Sequence, residues 1–186
     1  MGKIGLKYCS WLFVLFPLFV SGQWENGQVS VSFSLPEVAL VDIEPDDDNS
    51  IQFTILPGTE SGEKPEVGNA SNNSLWLNYS SALPANLSSR SITAEVSQGV
   101  VPPGIQLFLE ASHFQGNGRG IRGQSSGKIE LTGSPRPVIS GIGNCYTGDG
   151  INSGHQLTFS IAIDDAAEMG SAGEHNFVIL YTLTDN

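Results

Sequence analysis

The chain has 186 residues, 8 of them Lys or Arg against 19 Asp or Glu, for a formal net charge of −11. So negative a surface repels phosphate backbones and anionic lipids, which argues against nucleic-acid binding and peripheral membrane attachment. Cys9 lies in an N-terminal apolar run and Cys145 is the one other cysteine, so no internal disulfide is expected to staple the fold.

Lys3 and Lys7 precede the apolar run over residues 9–20 (CSWLFVLFPLFV), and Val20-Ser21-Gly22 supplies small residues for cleavage. Residues 1–22 therefore read as a secretory signal peptide. The run is shorter than the ~20 apolar residues a membrane helix needs, and it contains Pro17. The expected location is exported: periplasm, cell surface or extracellular space. Losing Lys3 and Lys7 would leave residues 23–186 with 6 basic residues against 19 acidic, in a length that suits a single domain with its own core.

After a short polar stretch, Val29, Val31, Phe33 and Leu35 alternate with Ser30, Ser32 and Ser34 until Pro36 ends the pattern. Further short strands are predicted over residues 38–43, 51–56, 75–80, 91–97, 105–111, 128–132, 137–142, 157–163 and 177–183. Between them lie an acidic turn over residues 44–49, a Gly, Pro and Ser-rich loop over 57–73 and a Gly-rich loop over 113–127. In the strand at 75–80, Trp76 and Asn78 share one face while Leu75, Leu77 and Tyr79 share the other. No window shows helical periodicity. The nearest candidate, residues 164–169 (DDAAEM), is long enough only to turn a corner.

This spacing of about eight to ten short strands predicts an all-β, antiparallel β-sandwich; a closed barrel fits less well because the strands are unequal in length. The last strand is apolar on both faces, with Val178 and Leu180 on the second, which predicts a central position and a C-terminus tied into the core.

Aspartate clusters at Asp46-Asp47-Asp48-Asn49 and Asp149-Gly150-Ile151-Asn152 offer hard oxygens of the kind calcium takes. Neither has the sixth-position glycine and distal Glu of the twelve-residue calcium loop, so solvated acidic turns are the preferred reading and no metal ligand is assigned. His113, His155 and His175 stand singly, and Cys145 lies ten residues from His155, which matches no zinc pattern. There is no G-x-S-x-G elbow, and the adjacent Asp164 and Asp165 point to opposite faces of a strand end. No catalytic residue and no cofactor is therefore assigned, and the chain reads as a non-enzyme.

Other features leave alternatives open. Cys145 is either a small buried hydrophobe or, as the odd cysteine of an exported chain, half of an intermolecular disulfide. The glycines around Arg119 and Arg122 lack the helix of a phosphate loop, and the two arginines suit an acidic patch on a neighbouring copy. Asn69, Asn72, Asn78 and Asn86 each begin an Asn-x-Ser sequon. Trp24, Trp76 and Tyr146 are candidate sugar platforms, with Trp76 better placed for the core.

An alternating apolar segment directly after the signal, together with a terminal apolar strand containing Tyr181 (FVILYTLT, residues 177–184), resembles bacterial pilus subunits of the chaperone–usher type. The likeness covers the chain ends and the sandwich pattern, and it departs from that family in having one cysteine where a pair is usual. The central run over residues 141–161 (GIGNCYTGDGINSGHQLTFSI) is similar in flavour to exported bacterial β-proteins of no known activity. The resemblance implies an immunoglobulin-like sandwich lacking its last strand, completed by the N-terminal strand of the next subunit, a β-augmentation. It further implies a periplasmic chaperone, an outer-membrane usher and a role in a fimbria-like or adhesive assembly. On that reading Val29, Val31, Phe33 and Leu35 are the donor residues, and Ile179, Tyr181 and Leu183 belong to the receiving core. Two alternatives stand beside it: residues 29–35 as the first strand of a self-contained sandwich, and a monomeric secreted module binding carbohydrate or calcium.

Overall fold

The computed structural model describes residues 29–170 and 172–186. The signal-peptide assignment for residues 1–22 and the platform candidate Trp24 lie outside them. The chain divides into two units, Met1–Ser34 and Leu35–Asn186. Of the first, residues 29–34 are described: they belong to no strand and are exposed.

The second unit is all-β and sandwich-like, built from antiparallel strands. In chain order these are β1 (Val38–Glu44), β2 (Ile55–Leu56), β3 (Glu66–Val67), β4 (Ser71–Ala82), β5 (Arg90–Gln98), β6 (Ile105–Ala111), β7 (Arg119–Ser125), β8 (Lys128–Glu130), β9 (Arg136–Tyr146), β10 (His155–Ile163) and β11 (Val178–Asp185). The main path runs β11-β5-β9-β4-β10-β6-β8, with β1 added on β4, β7 added on β9, and β2 and β3 paired separately. Among the described residues the helical content is a 3-10 turn at Asp46–Asp48, and no helix is long and apolar enough to cross a membrane. Residues 164–169 form a turn closed by Ala167 N donating to Asp165 Oδ1 at 2.8 Å.

Period-two alternation builds the core. Leu107, Leu109 and Ala111 of β6, Ile92 and Ala94 of β5, and Leu157 and Phe159 of β10 turn inward and are buried. Each large aliphatic side chain fully withdrawn from water contributes about 1.5–3 kcal/mol. Strand β4 is covered on both faces: Leu75, Leu77 and Tyr79 face the core, while Trp76 and Asn78 on the opposite face are also buried.

Three expectations need correction. The alternating residues 29–35 belong to no strand, and none of the pairings among the described residues includes them. The predicted strand at 51–56 shrinks to Ile55–Leu56; Ile51 and Phe53 still pack on the core, from backbone with no ladder partner. The Gly-rich loop at 113–127 contains strand β7, paired with β9. Glycine is required there by contact: a Cβ on Gly120, whose φ is +95°, would lie 2.1 Å from the Asn144 carbonyl oxygen.

The position of β11 also differs from expectation. It ends the path as an edge strand, pairing with β5, with Ile179, Tyr181 and Leu183 packed on the core and Val178 and Leu180 exposed. Its end is nonetheless tied down, through a buried cation. Arg90, 1% exposed, donates from Nε to Asp185 Oδ1 at 2.7 Å, from Nη1 to the Val38 carbonyl, and from Nη2 to Glu37 Oε1. Asn186 N donates to Ser89 O at 3.1 Å beside it. One guanidinium thereby joins the start of β1, the start of β5 and the end of β11.

Candidate functional site: an open edge and an acidic cleft

Edge strand β11 borders an apolar groove. A cavity of about 420 Å³ lies between residues 49–53 and β11, lined by Ile51, Phe53, Phe159, Phe177, Ile179 and Tyr181 among others. A second cavity of about 270 Å³ shares Ile51, Phe53 and Phe177 with it. The Tyr181 hydroxyl in the groove is buried without a hydrogen-bond partner among the described residues, and burial holds its pKa above the ordinary phenol value. The proposed donor residues Val29, Val31, Phe33 and Leu35 are 88, 84, 83 and 84% exposed.

A cleft of about 420 Å³ opens on the outer face of β4, lined by Leu40, Asp42, Asn78, Ser80, Tyr146 and Asp149 among others. Strand pairing assembles it: Asp42 sits opposite Asn78 and Glu44 opposite Trp76, so the β1 carboxylates lie on the outer face of β4. Ligand oxygens of Asp42, Glu44 and Asp46 all lie within 4.8 Å of one another. Asp149 arrives from the turn after β9, where Asn78 Nδ2 donates to Gly150 O at 3.0 Å. Partial desolvation first, then the facing carboxylates of Asp46, Asp149 and Asp42, raise the Glu44 pKa above the usual carboxylate value. Asp42 and Asp149, from two distant acidic segments of the sequence, therefore line one cleft.

The histidines and the cysteine separate. His155 is 1% exposed, stacked at 5.8 Å on Tyr79, with Nδ1 2.8 Å from Ser112 O and Nε2 2.9 Å from the Tyr79 hydroxyl. A carbonyl can only accept, so Nδ1 carries the proton and Nε2 is free to accept from Tyr79. That phenol has one proton for two acceptors, since it also contacts the Arg122 carbonyl. Burial lowers the His155 pKa below its ordinary value. His113 and His175 are exposed. Cys145 is a free, buried thiol whose pKa is pushed up first by burial, the environment of an inert packing cysteine. Arg122 is spent locally, with Nη1 donating to Gly118 O at 2.7 Å and the guanidinium 3.9 Å over the Phe114 ring; Arg119 is exposed.

Of the platform candidates, Trp76 is buried and Tyr146, half exposed, borders the cleft. Of the four sequons, Asn69 and Asn86 are exposed and Asn72 half-buried, but Asn78 is 4% exposed and closed to glycosylation in the folded chain. Sequence reasoning missed Arg90 altogether. Its signal was parity: Arg90 shares the inward face of Ile92, Ala94 and Val96, a charge aimed at the core.

No protein-family model matches the chain, and no curated protein sequence matches it either.

Proposed function

We propose that the protein is a non-enzymatic, exported subunit of a fimbria-like or cell-surface assembly, joined to copies of itself or related chains by strand addition. The observation that carries this reading is the pairing of complementary features within one chain. Four alternating apolar side chains, Val29, Val31, Phe33 and Leu35, stand in solvent, and edge strand β11 borders an apolar groove. Contiguous exposed apolar surface marks an interaction site, and an unpaired edge is a template for another strand. A strand from a second copy would extend the sheet beyond β11, put its apolar side chains into the groove and bring polar backbone to the unpartnered Tyr181 hydroxyl.

Size-exclusion chromatography with light scattering tests it. The full chain is expected to self-associate, deletion of residues 23–35 to leave a folded monomer, and a peptide of residues 29–36 to bind that monomer and block association of the full chain. A deletion variant that unfolds would favour residues 29–35 as the first strand of a self-contained sandwich, and one that self-associates as the full chain does would overturn strand addition through them.

A further inference from the structure

Among the described residues, the carboxylates grouped closely enough to share one ion are Asp42, Glu44 and Asp46, beside the acidic cleft. Asp42 Oδ1 accepts from the Ile43 backbone N–H at 2.8 Å; no Lys or Arg forms an ion pair with Asp42, Glu44, Asp46 or Asp149 among the described residues. These carboxylates come from two segments a hundred residues apart, brought together by the β1–β4 register and the turn over Asn78. A solvated acidic turn accounts for either cluster alone. It does not account for Asp42 and Asp149 lining one cleft while Glu44 and Asp46 cluster about Asp42.

An independent observation points to a ligand. Asn78 lines the cleft with Asp42 and Asp149, is 4% exposed, spends its Nδ2 on Gly150 O, and keeps Oδ1 buried with no donor among the described residues. A buried, unsatisfied acceptor costs about 1–3 kcal/mol, so its retention calls for an explanation. Gly154 keeps the space beside that oxygen clear: a Cβ there would stand 2.8 Å from Asn78 Oδ1 and 2.1 Å from the Leu77 carbonyl oxygen. The cleft is thus lined by the Asp42 and Asp149 carboxylates and the Asn78 amide, with Glu44 and Asp46 clustered about Asp42, and no Lys or Arg is among its lining residues. A cation would satisfy the amide oxygen and neutralise the carboxylates at once.

We infer that the cleft between β1 and the turn after β9 is a calcium site, with Asp42, Glu44, Asp46 and Asp149 as carboxylate ligands and Asn78 Oδ1 as the buried oxygen. Calcium suits it better than magnesium. Calcium accepts six to eight oxygens in irregular arrangements, whereas magnesium demands a near-ideal octahedron that ligands from three separate segments do not readily build. Binding here would lock the end of strand β1 to the turn over Asn78. It would do so whether or not the chain assembles through β11.

Calorimetric titration of calcium into chelator-treated, dialysed protein at ~0.15 M salt tests the site, with magnesium titrated in parallel and Trp76, opposite Glu44 in the strand register, as a fluorescence reporter. One saturable calcium site is expected, with magnesium at least tenfold weaker. Asp42→Asn and Asp149→Asn should each weaken calcium at least tenfold with the fold intact by circular dichroism, and Asp164→Asn, in the distant corner turn, should change nothing. Absence of saturable binding up to about 10 mM calcium would overturn the inference, since weak extracellular modules bind near 1 mM. So would equal weakening by Asp164→Asn, the mark of diffuse counterion screening, or an Asp149→Asn variant that binds as the parent does.

Discussion

The two ends of strand β1 handle acidity in opposite ways. At its start, Glu37 is neutralised by Arg90, which also holds Asp185 and the Val38 carbonyl while itself 1% exposed. At its end, Asp42, Glu44 and Asp46 face one another and Asp149 with no cation among the described side chains. The first end is a finished electrostatic corner that stabilises the fold by itself. The second is an acceptor set whose stability depends on what the solution supplies. The difference separates a structural charge cluster from one that needs a ligand, a distinction that residue counts cannot make.

Breaking the finished end should have the largest effect. Arg90→Ala removes the partner of two carboxylates and a carbonyl and leaves a void in the core, and should cost roughly 3 kcal/mol in urea unfolding. A cost below about 1 kcal/mol would mean the corner is dispensable.

His155 is a buried polar group that is satisfied while neutral, and it calibrates the comparison through pH. Its folded pKa is lowered by burial, so the unfolded chain binds the proton first as pH falls. The stability that depends on neutral His155 is therefore complete above about pH 6.5 and declines as pH drops below that value toward the folded pKa. Unfolding midpoints measured between pH 5 and 8 should show this slope, and His155→Gln should flatten it.

The smallest effect sharpens the unfinished end. Glu44→Gln relieves repulsion among the carboxylates in metal-free protein, so the melting temperature should rise by roughly 1–2 °C in chelator. In calcium the same change should lower it, because a ligand is lost. A variant that melts identically in both conditions would remove any energetic role for the cluster.

Much of this was legible from residue order. Strand β6 was predicted over its observed range, since Leu107 and Leu109 alternate without interruption between clear turn residues. The burial of Trp76 and the placement of Cys145 in the core also agree with the sequence-based expectation. What escaped was set by contacts between distant segments. Strand β7 was hidden because Gly120 is there to let β9 approach, and glycine in sequence signals a turn. The edge position of β11 was hidden because Val178 and Leu180 make its outer face apolar, which mimics a strand covered on both sides. The two aspartate turns were visible singly, but only the β1–β4 register and the Asn78 contact to Gly150 bring them together.

The Arg90 corner has a mechanical consequence. Glu37 follows Leu35 by two residues, and Asp185 is the penultimate residue of the chain. In a fibre linked through residues 29–35, tension drawn along the N-terminal segment would reach the guanidinium almost at once. From there it would pass to β5 and to β11, the strand that receives the next subunit's segment. Load would travel from joint to joint through one charged clasp, and the hydrophobic interior would be spared the pull.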